Sequence, residues 1–150
     1  MASTTTSLVA LVLVVIATGL PAAHAFAING QTVLGIQVSG TLACSTTGNL
    51  PGNGIVGVLA TVTCNVNGTP TVLGIATTNL NGVFVALITN LSGLDPNTLS
   101  CVVRVNLPIL TCSLLPRNGV LQAKVNLKGT VSQAIIGLVA DATIGPFSVV

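Results

Sequence analysis

The chain has 150 residues, of which 51% are hydrophobic and only 4% are charged. Four basic and two acidic residues give a net charge of +2, and Trp and Tyr are absent. This composition argues against an intrinsically disordered chain, which combines low hydrophobicity with high charge. It also argues against a nucleic-acid-binding protein, because there is neither a basic stripe nor a set of stacking aromatic side chains.

Residues 1–25 have the pattern of a secretory signal peptide. Leu8–Ile16 is an unbroken apolar run, shorter than the roughly 20 residues that cross a bilayer. The sequence AHA at 23–25 matches an A-x-A cleavage site. We therefore expect cleavage before Phe26, which removes His24, the only histidine. An uncleaved anchor or a buried strand is the alternative, since no Lys or Arg precedes the apolar run.

The predicted mature chain, residues 26–150, is long enough for a single domain with its own core. No later segment approaches about 18 clean apolar residues, so we expect no transmembrane span. With so few charges to keep copies apart, self-association is a further expectation.

Alternating apolar and polar residues predict half-buried β-strands along this domain. The alternation is clearest in IQVSGTLAC (36–44), VGVLATVTC (56–64), CVVRVNL (101–107) and LQAKVNLK (121–128), with shorter candidates at 72–77, 83–89, 131–139 and 147–150. Asn-Gly pairs at 53–54, 67–68, 81–82 and 118–119 predict turns. The pattern predicts an all-β fold, an antiparallel β-sandwich or barrel-like domain of seven to eight short strands.

Four cysteines, Cys44, Cys64, Cys101 and Cys112, follow the predicted cleavage site. An even number in a secreted chain indicates two disulfides, although spacing alone does not choose among the three pairings. The predicted apolar faces hold three of the four, which favours disulfides in the core over reactive thiols. Zinc binding is the alternative, but there is no C-x-x-C motif, so we expect neither a metal nor another cofactor.

Few residues are available for catalysis. Asp95 precedes Pro96 and is expected to cap a turn, and Asp141 is expected to be solvated or to cap. A catalytic carboxylate pair is therefore not expected. Arrangements that need histidine are lost with His24. A catalytic Ser–Lys dyad is still an alternative, but no local motif supports it. We therefore expect that the protein is not an enzyme.

Two kinds of surface site remain. Arg117, Lys124 and Lys128 could form a small basic patch for weak contact with anionic surfaces, with an ordinary solvated face as the alternative. The sequons NGT at 67–69 and NLS at 90–92 mark Asn67 and Asn90 as glycosylation candidates. Asn90 is the better candidate, because a proline directly follows the first sequon, which itself lies at a predicted turn.

Several segments, taken in order, resemble the olive-pollen major allergen (Ole e I) family of secreted, extensin-related plant proteins. They are VSGTLAC (38–44), ATVTC (60–64), TTNLNGVFVALI (77–88) and the Cys101 to Cys112 pair. The chain is more similar still to the phylloplanins, leaf-surface members of that family. That similarity lies in CSTTGNLPGNGI (44–55), LPRNGVLQAKVNL (115–127) and IIGLVADATIGPF (135–147).

The resemblance implies a β-sandwich or barrel-like fold with nested disulfides, Cys44 to Cys112 and Cys64 to Cys101. It implies a secreted, non-enzymatic defence protein of the leaf surface or cell wall. Such a protein would meet microbial or cuticular surfaces and inhibit spore germination or growth. The alternative is a structural or polysaccharide-associated wall protein, although strong sugar stacking would need the aromatic faces that are missing here. A carrier of apolar ligands inside the β scaffold is a third hypothesis.

Overall fold

The computed structural model describes residues 26–150, so the predicted signal peptide and His24 lie outside the described residues. The described residues form twelve β-strands and no helix. In chain order they are β1 (Phe26–Ile28), β2 (Gln31–Val33), β3 (Gly35–Thr41), β4 (Ala43–Cys44), β5 (Asn53–Gly54), β6 (Leu59–Val66), β7 (Thr69–Thr77), β8 (Val83–Ile88), β9 (Cys101–Asn106), β10 (Val120–Ala134), β11 (Gly137–Ile144) and β12 (Ser148–Val149). The prediction of an all-β fold is confirmed.

Eight of these strands form one sheet that curls into a nearly closed barrel. The neighbour order is β7-β6-β9-β10-β11-β3-β8, with β12 also paired to β10. The first and last strands of this order, β7 and β8, lie against each other, which brings the sheet back on itself. The pairs are antiparallel apart from β11 and β3, which run parallel.

A glycine marks the place where β7 approaches β8. Gly74 is buried on β7, and a Cβ built on it would lie 3.5 Å from Ile88 and 3.7 Å from Ala86 of β8. A larger side chain here would have to occupy space that these two residues fill. The small residue therefore lets the two end strands of the sheet pack closely.

The barrel interior is filled by a single core. Its largest fully buried side chains are Phe26, Ile36, Leu42, Phe84, Ile88 and Leu121. Phe26 comes from a separate hairpin, β1–β2, whose turn residue Asn29 donates a side-chain hydrogen bond of 2.6 Å to the carbonyl of Gly129 on β10. A carrier of apolar ligands would have to displace these core side chains.

Two predicted features differ in the structure. The segment 131–139, predicted as one strand, contains the turn between β10 and β11, where Ala134 pairs with Gly137. Gly137 has a φ of 128°, which lets the chain reverse without Asn or Pro. Val56, the first apolar residue of the alternating segment 56–64 and thus expected on its buried face, is exposed, because β6 begins only at Leu59.

The predicted Asn-Gly turns have different outcomes. Asn67 and Gly68 have φ values of 52° and 82° and link β6 to β7, as predicted. The pair at 53–54 is instead the short strand β5, which is antiparallel to β4. A hairpin that was not predicted, β1–β2, turns at Asn29 and Gly30, both at positive φ.

The connections gather at two ends of the barrel. At one end, here the loop end, lie the segments 42–58, 78–82 and 107–119. The N–H of Leu42 donates to the carbonyl of Gly82 (2.8 Å) and that of Gly57 to the carbonyl of Thr78 (3.0 Å). At the other, here the hairpin end, lie the β6–β7 and β10–β11 turns and the segment 89–100.

Candidate functional site

Two disulfides secure this barrel, and they have the pairing that the family resemblance implies. Cys44 pairs with Cys112 across the loop end, with Cα atoms 5.5 Å apart. Cys64 pairs with Cys101 on adjacent strands β6 and β9, with Cα atoms 4.0 Å apart. No cysteine among residues 26–150 is free, so these four residues have a structural role.

The two carboxylates occupy separate, hydrogen-bonded positions. Oδ1 of Asp95 accepts the N–H of Asn97 at 2.9 Å, which is the turn cap that the sequence predicts. Oδ2 of Asp141, on the outer side of β11, accepts the hydroxyls of Thr130 and Ser132, each at 2.8 Å. Each acid is thus engaged with its own neighbours on its own part of the fold.

The three bases of the predicted patch are spread along the molecule. Arg117 lies in the segment 107–119 at the loop end, and Lys124 and Lys128 lie on β10, all three exposed. Four residues along a strand separate the two lysines by about 13 Å. Lys128 also falls within the irregularity of β10 between Leu127 and Val131. The structure therefore distributes these three charges rather than clustering them.

A different base lies beside Lys124. In the register of β9 and β10, Arg104 is opposite Gln122 and Val102 is opposite Lys124. Arg104 and Lys124 are therefore diagonal neighbours on one face of the sheet, with their Cα atoms about 7–8 Å apart. Sequence reasoning missed this pair, because the two residues are distant in the chain and only the strand register brings them together.

We call the face around these two bases the outer wall, formed by Thr61, Thr63, Arg104, Gln122 and Lys124. Thr61 of β6 is opposite Arg104, and Thr63 is opposite Val102. Lys124 and Gln122 line a surface groove of about 630 Å³, and Arg104 and Thr61 line one of about 260 Å³. Both grooves combine a cation with hydroxyl or amide groups, and no carboxylate side chain lines either one.

The loop end exposes large apolar side chains. The most exposed are Leu110, at 92%, and Leu80, at 84%. Others at this end that are more than half exposed are Leu50, Val56 and Leu114. The only ionic side chain in the segments 42–58, 78–82 and 107–119 is Arg117. Together with Leu110 and Pro116 it lines a hollow of about 400 Å³.

Both sequon asparagines are exposed at the hairpin end. Asn67 holds the tight β6–β7 turn and lies beside Gly93. Asn90 follows β8 on an irregular segment, and its Oδ1 accepts the N–H of Ser92 at 3.3 Å. The two candidate glycosylation sites are therefore on the same end of the barrel, opposite the apolar loops.

No group of three or more His, Cys, Asp or Glu side chains suited to a metal ion occurs within residues 26–150. In the same part of the chain there is no helix with the length and hydrophobicity for a bilayer crossing. Comparison with protein-family models, curated proteins and solved structures finds no match. The fold and surfaces define a disulfide-linked, barrel-like β domain with an apolar loop end and an outer wall bearing two cations.

Proposed function

We propose that this is a secreted, non-enzymatic plant surface protein with a defence role. In this proposal it adsorbs to microbial or cuticular surfaces and inhibits spore germination or growth, as the phylloplanins that it resembles do. The observation that supports the proposal is the apolar surface of the loop end. Several leucines and a valine are exposed to solvent there, on loops of which two are joined by a disulfide.

The physical chemistry of adsorption follows from this arrangement. Removing a Leu side chain from water contributes about 1.5–3 kcal/mol, so several exposed leucines could offset the freedom lost on binding. The Cys44–Cys112 bond joins two of the three segments that present them. The loops therefore have less freedom to lose when they meet a surface, which favours adsorption.

The proposal is tested with the full chain expressed in a plant. A water wash of the leaf surface is analysed by mass spectrometry and assayed for inhibition of spore germination, with the wash of non-expressing leaves as the control. Protein beginning at Phe26 in an inhibitory wash is the expected result. If the protein purified from the plant does not change spore germination at any concentration reached, the proposed defence role is wrong.

The outer wall supports a second candidate, a polysaccharide-associated protein of the cell wall. Arg104 and Lys124 with their neighbouring hydroxyl and amide groups suit an acidic polysaccharide, whose carboxylates and hydroxyls they could bind. This candidate predicts that the protein stays in the wall residue and binds polygalacturonate. Replacing both bases by Gln should abolish that binding, whereas Lys128→Gln, farther along β10, should leave it nearly unchanged.

A further inference from the structure

We infer that the loop end is a membrane-binding surface and that its ligand is a bilayer containing anionic phospholipid. The inference rests on the proposed function for its microbial setting and deepens it by naming the chemical target. It is carried by three features of the loop end: exposed apolar side chains, a single cation among them and the hollow beside that cation.

The apolar side chains project from three separate segments. Leu80 precedes β8, Leu110 and Leu114 lie in the segment before β10, and Leu50 lies in the segment before β6. Hydrogen bonds and the Cys44–Cys112 bond join these segments to one another. The exposed leucines resemble the apolar side chains by which interfacial proteins enter the boundary between headgroups and acyl chains. Because their segments are joined, these side chains can enter that boundary together.

The charges of the molecule favour an anionic surface over a neutral one. Arg117 is the only ionic side chain in the three loop-end segments. Asp95 lies in the segment 89–100 at the hairpin end, and Asp141 is held on β11 by two hydroxyl groups. No Asp or Glu side chain in the loop-end segments therefore repels an anionic headgroup.

The hollow beside Arg117 has the chemistry of a lipid headgroup site. Leu110, Leu115 and Pro116 line it together with Arg117, and its volume is about 400 Å³. A guanidinium binds phosphate oxygens through paired hydrogen bonds, and the exposed Leu110 can contact the adjoining acyl chain. The apolar and cationic parts of the loop end thus lie side by side, as a phospholipid requires.

A second copy of the chain is a poorer occupant. Two loop ends facing each other would bring one Arg117 towards the other with no carboxylate side chain nearby, and like charges repel.

The hairpin end also exposes Leu34 and Ile135, but Asn67, Asn90 and Asp95 lie there. A glycan at either asparagine would hold that end away from a bilayer, so the loop end is the one free to approach.

The test measures co-flotation of the oxidised protein, purified from a plant host, with vesicles of phosphatidylcholine alone or mixed with phosphatidylglycerol. We expect binding to the mixed vesicles. Leu110→Asp and Leu80→Asp should each weaken binding about tenfold or more. Arg117→Gln should weaken binding to mixed vesicles about fivefold and leave any binding to phosphatidylcholine unchanged.

The matched control is Ile135→Asp, which adds the same charge at a fully exposed residue of the hairpin end. It should retain most of the wild-type binding. Far-ultraviolet circular dichroism verifies that each variant is folded, which we expect because every substituted side chain is exposed. Equal losses in Leu110→Asp and Ile135→Asp would overturn the inference, as would wild-type protein that self-associates but never floats with mixed vesicles.

The inference and the proposed function can fail separately. Protein that inhibits germination without binding mixed vesicles would refute the membrane site and leave the defence role standing. Protein that binds mixed vesicles through the loop end without inhibiting germination would support the membrane site and refute the defence role.

Discussion

The side-chain amide of Asn49 pairs with the backbone of Phe147 as a neighbouring strand would. The N–H of Phe147 donates to Oδ1 of Asn49 at 2.7 Å, and Nδ2 of Asn49 donates to the carbonyl of Phe147 at 3.0 Å. Phe147 lies in the link between β11 and β12, beside β10. Three residues of that link, 145–147, are opposite only two of β10, 123–124. Asn49 thus supplies hydrogen bonds at a bulge, where the strand ladder is interrupted.

Asn49→Ala should therefore destabilise the protein. The substitution removes the two hydrogen bonds to Phe147 and a third that Nδ2 donates to Oγ1 of Thr47. The amide and carbonyl of the buried Phe147 lose these partners, so we expect a loss of about 1–3 kcal/mol in the free energy of unfolding. Urea denaturation followed by circular dichroism measures it. The control is Asn65→Ala, at an exposed position on β6, which should change stability by less than about 0.5 kcal/mol. Equal effects of the two substitutions would show that the Asn49–Phe147 pair adds nothing.

Two glycines with nearly the same φ should respond differently to alanine. Gly82 has a φ of 77° and Gly68 a φ of 82°. A Cβ on Gly82 would lie 2.8 Å from the nitrogen of Ile55, whereas a Cβ on Gly68 would meet nothing within 4 Å. Gly68→Ala should cost about 1–2 kcal/mol, the penalty of the left-handed conformation alone. Gly82→Ala should cost at least about 2 kcal/mol more, and thermal unfolding would show the ranking. Similar losses would mean that the loop end yields readily around Gly82.

Removing either disulfide should lower stability by a similar amount. The bonds close loops with sequence separations of 68 and 37 residues, for which chain entropy gives about 4 kcal/mol each. The test compares the variant with Cys44 and Cys112 replaced by Ala against the variant with Cys64 and Cys101 replaced by Ala, by urea denaturation. Reduction of the wild-type protein serves as an independent control. A reduced protein as stable as the oxidised one would contradict the expectation.

Asn90, and not Asn67, should carry a glycan in protein made by a plant. Asn90 is exposed on an irregular segment, whereas Asn67 lies in a two-residue turn followed at once by Thr69 and Pro70. Mass spectrometry of protein from a plant host should show a glycan that Asn90→Gln removes and Asn67→Gln retains. A glycan found on Asn67 would reverse this assignment.

The strands that are buried on one face could be predicted from the sequence. On β9, Cys101, Val103 and Val105 are buried and Arg104 and Asn106 are exposed, as the alternation indicates. The same rule holds for β10 as far as Val125. In these segments, burial of one face is the dominant energetic effect, so the period of the sequence equals the period of the strand.

Features set by contacts between distant segments could not be predicted this way. The turn at Ile135 and Ile136 contains two β-branched residues, whose sequence favours a continuing strand. It is the pairing of β10 with β11, and of β11 with β3, that places the reversal there. The Arg104–Lys124 pair depends in the same way on the register of β9 against β10. The apolar loop end could not be predicted, because no sequence signature distinguishes exposed leucines from core leucines.

The nesting of the two disulfides has a consequence for proteolysis. The Cys64–Cys101 bond lies entirely within the loop closed by Cys44 and Cys112. A single peptide-bond cleavage anywhere from residue 45 to residue 111 therefore leaves both pieces covalently joined. The exposed segment 89–100, which lies inside this interval, can be nicked once without releasing a fragment, and the barrel's hydrogen-bonded wall can hold the nicked chain together.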